Sequence, residues 1–257
     1  MSKINAVRLI NVNYNNNAYR ISDETLHFNG ESTLISLQNG GGKSVLVQML
    51  TAPFVHPRYR NTKDRLFESY FTTNKPSFIL VEWALDQGAG YVLTGLMVRK
   101  SQDMEEDRKE NLDIIGIVSE YQSPCIQDIH HLPVVEKGKK EMILKNFNFC
   151  RQLFETYKKD RDMKFFYYDL TNYAQSRQYF DKLMEYQINY KEWETIIKKI
   201  NLKESGLSDL FADCKDEKGL TEKWFLEAIE SKLNKDKNRN KEFQSILEKY
   251  AGQYKDN

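Results

Sequence analysis

The stretch Gln38-Asn39-Gly40-Gly41-Gly42-Lys43-Ser44, followed at once by Val45-Leu46-Val47-Gln48-Met49-Leu50, decides how the rest of the chain is read. Consecutive glycines let the backbone curl until several amide N–H groups point inward, the arrangement that cradles a polyphosphate. The apolar residues after them have helical length and density, so the loop opens a helix whose partly positive N-terminus faces the same ligand. Lys43 is placed to reach the β and γ phosphates as a mobile point charge, and the Ser44 hydroxyl to join the shell of a magnesium ion. Residues 33–37 read as a strand, which makes the order strand, glycine loop, helix, the context a phosphate-binding loop requires. The common pattern GxxxxGK[ST] has a glycine where this chain has Leu37, so the first turn of the loop departs from it. A glycine-rich turn that merely caps a core helix is the plainer alternative, and the strand before and helix after weigh against it.

Working outward, residues 7–14 alternate with a period of two and predict a strand, followed by a polar loop of Asn13 and Asn15, Asn16 and Asn17. Leu26 and Phe28 lead into Asn29-Gly30, the dipeptide suited to two positive φ angles in a tight hairpin, with 33–37 as the returning strand. Residues 78–85 and 91–98 are apolar, β-rich runs joined by Asp86-Gln87-Gly88-Ala89-Gly90, hence an antiparallel hairpin. A further strand at 114–118 follows the charged stretch 103–110, read as a solvated loop. Past residue 145 the spacing turns helical, at 147–157, 173–184 and 190–200, with one strand at 164–169. Two more amphipathic stretches, 220–233 and 243–250, flank a polar segment at 234–241.

Composition bounds the function. The chain has 257 residues, 38 Lys and Arg against 37 Asp and Glu, and 40% hydrophobic residues. That balance describes one or two globular domains with a real core and gives no whole-molecule field that would steer nucleic acid. No apolar run approaches the roughly 18 residues of a membrane span, and no secretory signal is visible, so a cytoplasmic protein without a membrane partner is expected. Cys125, Cys150 and Cys214 are odd in number and lack CxxC spacing, which argues against a disulfide framework or zinc site. His130-His131 with Asp128 nearby superficially suggests metal, but adjacent strand residues point to opposite faces, and ligation is not expected.

The core Asn39-Gly40-x-Gly42-Lys43-Ser44, a few dozen residues from the first residue and after two short strands, resembles the N-terminal head segment of SMC-like ATPases. These ABC-type enzymes commonly carry Gly-Pro-Asn-Gly-Ser-Gly-Lys-Ser there. Within that group, residues 78–85 and 90–99 look closest to the head hairpin of bacterial condensin-like members of the MukB and Wadjet-defence sort. The resemblance implies an α/β fold of α+β character: an ABC-type P-loop head lobe with an antiparallel β-subdomain, a P-loop helix and a C-terminal helical region. It implies a lobe over residues 1–200 and a helical region over 201–257 leading toward a coiled coil, with a self-contained helical cap as the alternative. ATP and magnesium are the implied cofactors, bound through Gln38, Asn39, Gly40, Gly41, Gly42, Lys43 and Ser44, with Ser44 on the metal.

The same resemblance implies that ATP is sandwiched between this loop and a signature motif on a second head, so that binding closes a homodimer and hydrolysis opens it. DNA and accessory subunits are the implied partners, in chromosome organisation, repair or defence against foreign DNA. Arg58, Arg60 and Arg65 follow the loop's helix, where related heads place arginines against nucleotide phosphate or DNA. The segment from Ile200 to Leu207 is similar to the stretch after the family's Q-loop, where a glutamine touches magnesium and the attacking water. Asn201 stands nearest that position, and Gln122, after the strand at 114–118, is the competing choice.

Some parts of a complete ABC-type enzyme are not found. There is no LSGGQ-like signature, and no hydrophobic strand ends in Asp-Glu; Phe165-Phe166-Tyr167-Tyr168-Asp169 is followed by Leu170. The economical expectation is an ATPase half-site, the N-terminal half of a head that lacks its C-terminal lobe. A rival is a compact P-loop kinase or GTPase-like enzyme with Asp169 as the magnesium-side carboxylate, which requires a mostly parallel sheet with Asp169 on a strand beside the loop. A third reading is a degenerate P-loop scaffold that binds a partner and no nucleotide.

Overall fold

Long runs of apolar and β-branched residues form strands buried on both faces, and here they build one six-stranded sheet. The computed structural model describes residues 2–14, 18–38, 41–62, 65–101, 111–138 and 142–201. The chain divides after Ile197 into two units, Met1–Ile197 and Lys198–Asn257, and the sheet belongs wholly to the first. Strands β1 (Lys3–Tyr14) and β2 (Tyr19–His27) form a hairpin, and helix α1 spans Lys43–Thr51. Strands β3 (Ser77–Ala84), β4 (Tyr91–Lys100) and β5 (Leu112–Tyr121) form a meander. Then come the short pair β6 (Val135–Lys137) and β7 (Met142–Leu144), α2 (Phe147–Lys159), β8 (Lys164–Asp169), α3 (Tyr173–Glu185) and α4 (Tyr190–Asn201).

The large sheet has the order β2-β1-β3-β4-β5-β8, and every neighbouring pair is antiparallel. Alternation sorts its residues onto two cores. Val7, Leu9, Ile79, Val81, Leu96 and Val118 face one side, under α1, the 3-10 turns Ala52–Phe54 and Phe67–Tyr70, and α3. Ala6, Ile10, Phe78, Leu80, Met97 and Ile117 face the other, under α2 and the loop through Ile129 and Leu132. Gly116 sits where α3 crosses the first face: a Cβ there would stand 2.8 Å from the Tyr179 ring, so only glycine admits that close approach. Tyr179 in turn donates its hydroxyl to the Pro53 carbonyl at 2.7 Å, tying α3 to the turn after α1.

Several expectations from the sequence change. The sheet is mixed with helices as expected, but its first hairpin joins β1 to β2, pairing Tyr14 with Tyr19, and does not turn at Asn29-Gly30. Asn29 and Gly30 do take positive φ angles, 53° and 69°, and Glu31 N–H closes the turn on the Phe28 carbonyl at 2.9 Å. That turn is held against β1, with Gly30 N–H donating to the Ile4 carbonyl, and it launches the chain away from the sheet. Residues 33–37 join no ladder of the described chain, and all of 31–36 is exposed. The parallel sheet that the compact-enzyme reading needs is absent among the described residues. The expected loop at 103–110 and the stretches 220–233 and 243–250 lie wholly outside the described residues.

Candidate phosphate-binding loop

The loop hangs beside the end of the sheet where β1 finishes. Gly41 N–H donates to the Gln38 carbonyl at 2.9 Å, closing a tight turn in which a Cβ on Gly41 would stand 3.0 Å from that oxygen. Gly42 follows at φ +87°, in the left-handed region that favours glycine, and its carbonyl accepts the first helical bond from Leu46 N–H at 2.8 Å. Asn39 and Gly40 lie outside the described residues. Lys43 and Ser44 open α1 on its exposed side, while Val45 and Met49 anchor its other side in the core.

The start of α1 is chemically unlike the starts of α2 and α3. Those two are capped by Asn146 and Asn172, whose side-chain oxygens accept from Phe149 N–H at 2.8 Å and Gln175 N–H at 3.1 Å. Among the described residues, no side chain caps α1 and no acidic residue stands in its first turn. A helix of this kind leaves its first N–H donors directed outward, where an anion can take them. The rest of α1 is braced. Gln48 donates to the Arg60 carbonyl at 2.6 Å and accepts from the Tyr70 hydroxyl at 2.7 Å, and Arg60 Nε donates to the Ala52 carbonyl at 3.1 Å.

The sequence reading missed one neighbour of the loop. A Cβ on Gly42 would meet the Tyr14 ring at 3.5 Å, and Tyr19 stacks on Tyr14 with ring centroids 5.3 Å apart. The pair forms an aromatic platform beside the loop, partly open because Tyr19 is 54% exposed. The available signal was an aromatic residue on either side of the Asn-rich turn, which only the hairpin register brings together.

The other candidates disperse. Arg60 is 1% exposed and built into the wall behind α1, so it serves the fold and not a surface phosphate. Arg58 is exposed with its guanidinium over the Tyr59 ring, and Arg65 is exposed beside Tyr70. Burial raises the Tyr70 hydroxyl above its ordinary pKa of 10.0, against the charge and hydrogen bond of Arg65. Gln122 is exposed just after β5, at the end of the sheet opposite Tyr14, about 33 Å away for a strand of ten residues. That places it out of reach of the loop. Asn201 closes α4, and 202–207 lie outside the described residues. Asp169 ends β8 at the far edge of the sheet, four strands from β1, or about 19 Å at the usual strand spacing. Its Oδ1 accepts from Thr171 N–H and Oγ1, a local turn and not a metal shell.

Asp128, near the paired histidines, is 3% exposed and organises its loop. Its carboxylate accepts from the N–H groups of Cys125, His130 and His131 at 2.7–2.9 Å, and His131 Nδ1 lies 2.7 Å from Oδ2. Burial pushes its pKa up, but the His131 ring and the three backbone donors outweigh burial and hold the carboxyl below 3.8. No group of three or more His, Cys, Asp or Glu among the described residues could hold a metal ion. No helix among them is long and apolar enough to cross a membrane. Compared with known proteins, the chain matches no family model and no curated sequence.

Proposed function

We propose that this chain is the ATP- and magnesium-binding N-terminal part of an SMC-like ATPase head. The observation that carries it is the start of α1: an uncapped helix led by a left-handed glycine, with Lys43 and Ser44 exposed on its first turn. These residues fit a nucleotide. The open N–H donors and the Lys43 ammonium suit phosphate oxygens, and the Tyr14–Tyr19 platform offers a flat apolar surface for a base. When bound, the nucleotide and its magnesium supply a phosphoanhydride bond and the cation that neutralises charge at it. Among the described residues of the loop, Ser44 Oγ is the side-chain oxygen suited to that cation, and carboxylate ligands and a water-polarising base are expected from elsewhere.

The exposed stretch before the loop supports the half-site reading. Leu34 is 95% exposed, Ile35 39% and Val47, on α1, 47%. A segment read from sequence as a strand that joins no ladder among the described residues suits a strand completed by a second lobe. In the reading carried from the resemblance, that lobe brings the missing carboxylates, and a second head closes over the nucleotide. DNA, accessory subunits and a cytoplasmic setting belong to the same proposal. The antiparallel sheet and the distance of Asp169 from the loop speak against the compact kinase or GTPase-like alternative.

A calorimetric titration with magnesium and ATP tests this on the chain and its Lys43→Ala variant, with turnover followed in the same samples. Binding that the variant loses, with negligible turnover, is the expected result. Robust turnover by the chain alone supports the compact enzyme, and absence of binding supports a partner-binding scaffold.

A further inference from the structure

A second concave site lies on the same face of the sheet, toward its β5–β8 edge. It is an open cleft of about 960 Å³ between the 3-10 turn Pro57–Tyr59, the ends of β5 and β8, and the first turns of α3. Its depth is apolar: Leu112, Ile114 and Phe180 form the floor, each no more than 5% exposed. Its rim is cationic and aromatic. Arg58 and Arg177 are exposed on opposite walls, and Tyr173 projects from α3 with 85% exposure. The acidic group on the rim, Asp181, stands 3.9 Å from Arg177 with both side chains about 70% exposed, a contact that solvent screens.

We propose that this cleft binds an acidic peptide segment of a partner protein, with an apolar side chain of the peptide seated between Tyr173 and the floor. Three features select that occupant. The apolar floor has no complement on a sugar–phosphate backbone, whereas a Leu or Phe side chain fits it. Two arginines on facing walls are too few to track a nucleic-acid strand, which needs a stripe of cations, but suffice to pair carboxylates on either side of one anchor residue. The cleft is also partly open to solvent, as docking of a peptide from outside requires and an enclosed small-molecule cavity is not. The wall that carries Arg58 is continuous with the brace of α1, through the Arg60 carbonyl that accepts from Gln48.

The test is display selection of random peptides on the chain, counter-selected on the Arg58→Glu/Arg177→Glu double variant. Both residues are exposed, so the fold is expected to survive, and a thermal melt checks it. Enriched sequences should combine Asp or Glu with one aromatic or large aliphatic residue. A labelled peptide made from them should lose about tenfold or more in affinity on the double variant, and a smaller factor on Tyr173→Ala. Lys43→Ala should bind that peptide unchanged, so a failure of the nucleotide reading leaves this result standing. Enrichment of neutral or basic sequences, or equal binding to the double variant, overturns the proposal. Labelled single-stranded DNA that binds more tightly than the peptide, and with the same dependence on Arg58 and Arg177, assigns the cleft to nucleic acid instead.

Discussion

At the scale of single residues, shape and chemistry are carried by neighbours in the loop. Gly42 holds φ +87° and leads α1, whereas Lys43 is exposed and bears the charge. Gly42→Ala should therefore destabilise the chain by about 1–2 kcal/mol, because a Cβ is strained in the left-handed region. Lys43→Ala should stay within about 0.5 kcal/mol of the parent, as exposed substitutions do. Urea unfolding separates the two, and equal losses would show that Lys43 has a structural duty as well. Asp128 has the opposite character, a buried carboxylate that acts only on the fold. Its folded pKa is depressed, so its contribution is fully present above 3.8, the ordinary value, and is lost as pH falls through the lower folded value. Asp128→Asn should cost about 1–3 kcal/mol near neutral pH and flatten the acid limb of the stability curve. A variant with the parent's stability at pH 7 and an unchanged acid limb would refute that role.

At the scale of elements, end chemistry distinguishes the capped helices α2 and α3 from α1, whose start carries the proposed ligand site. Asn172→Ala removes the cap of α3 and should cost about 1 kcal/mol, readable as a lower thermal midpoint. The start of α1 has no such side chain to remove, and added phosphate or nucleotide should raise its stability where it leaves the Asn172 end untouched. The sequence made most elements legible for the same local reasons. The apolar, β-rich runs at 78–85 and 91–98 became β3 and β4, the six residues 164–169 became β8, and the spacing at 147–157, 173–184 and 190–200 became α2, α3 and α4. What it hid was set by pairing at a distance. Asn29-Gly30 has the right angles for a hairpin, yet hydrogen bonds from that turn to Ile4 and Asn5 oppose a return strand. Tyr14 meets Gly42 only because β1 ends where the loop arrives. Arg60 and Arg58 look alike in sequence, and only the packing behind α1 buries one and exposes the other.

At the scale of the whole molecule, the question is what completes the stretch before the loop. A strand-forming sequence with Leu34 almost fully exposed leaves both backbone donors and apolar surface to water, which suits a protein whose sheet continues into another lobe. If that lobe docks there, amides of residues 32–36 should exchange rapidly in this chain alone. On the proposed half-site reading they should become protected when the second lobe is supplied, because ladder formation buries them. Leu34→Asp provides the matching variant. Its side chain touches solvent in this chain, so the thermal midpoint should stay within about 1 °C of the parent, whereas a carboxylate forced under a second lobe opposes docking by several kcal/mol. Hydrogen exchange on mixtures with the complementary lobe reads both effects at once. Protection of 32–36 in the parent and its loss in Leu34→Asp is the expected pair. Protection of those amides in the isolated chain would mean that the stretch already has its partner and that the head is not divided at this strand.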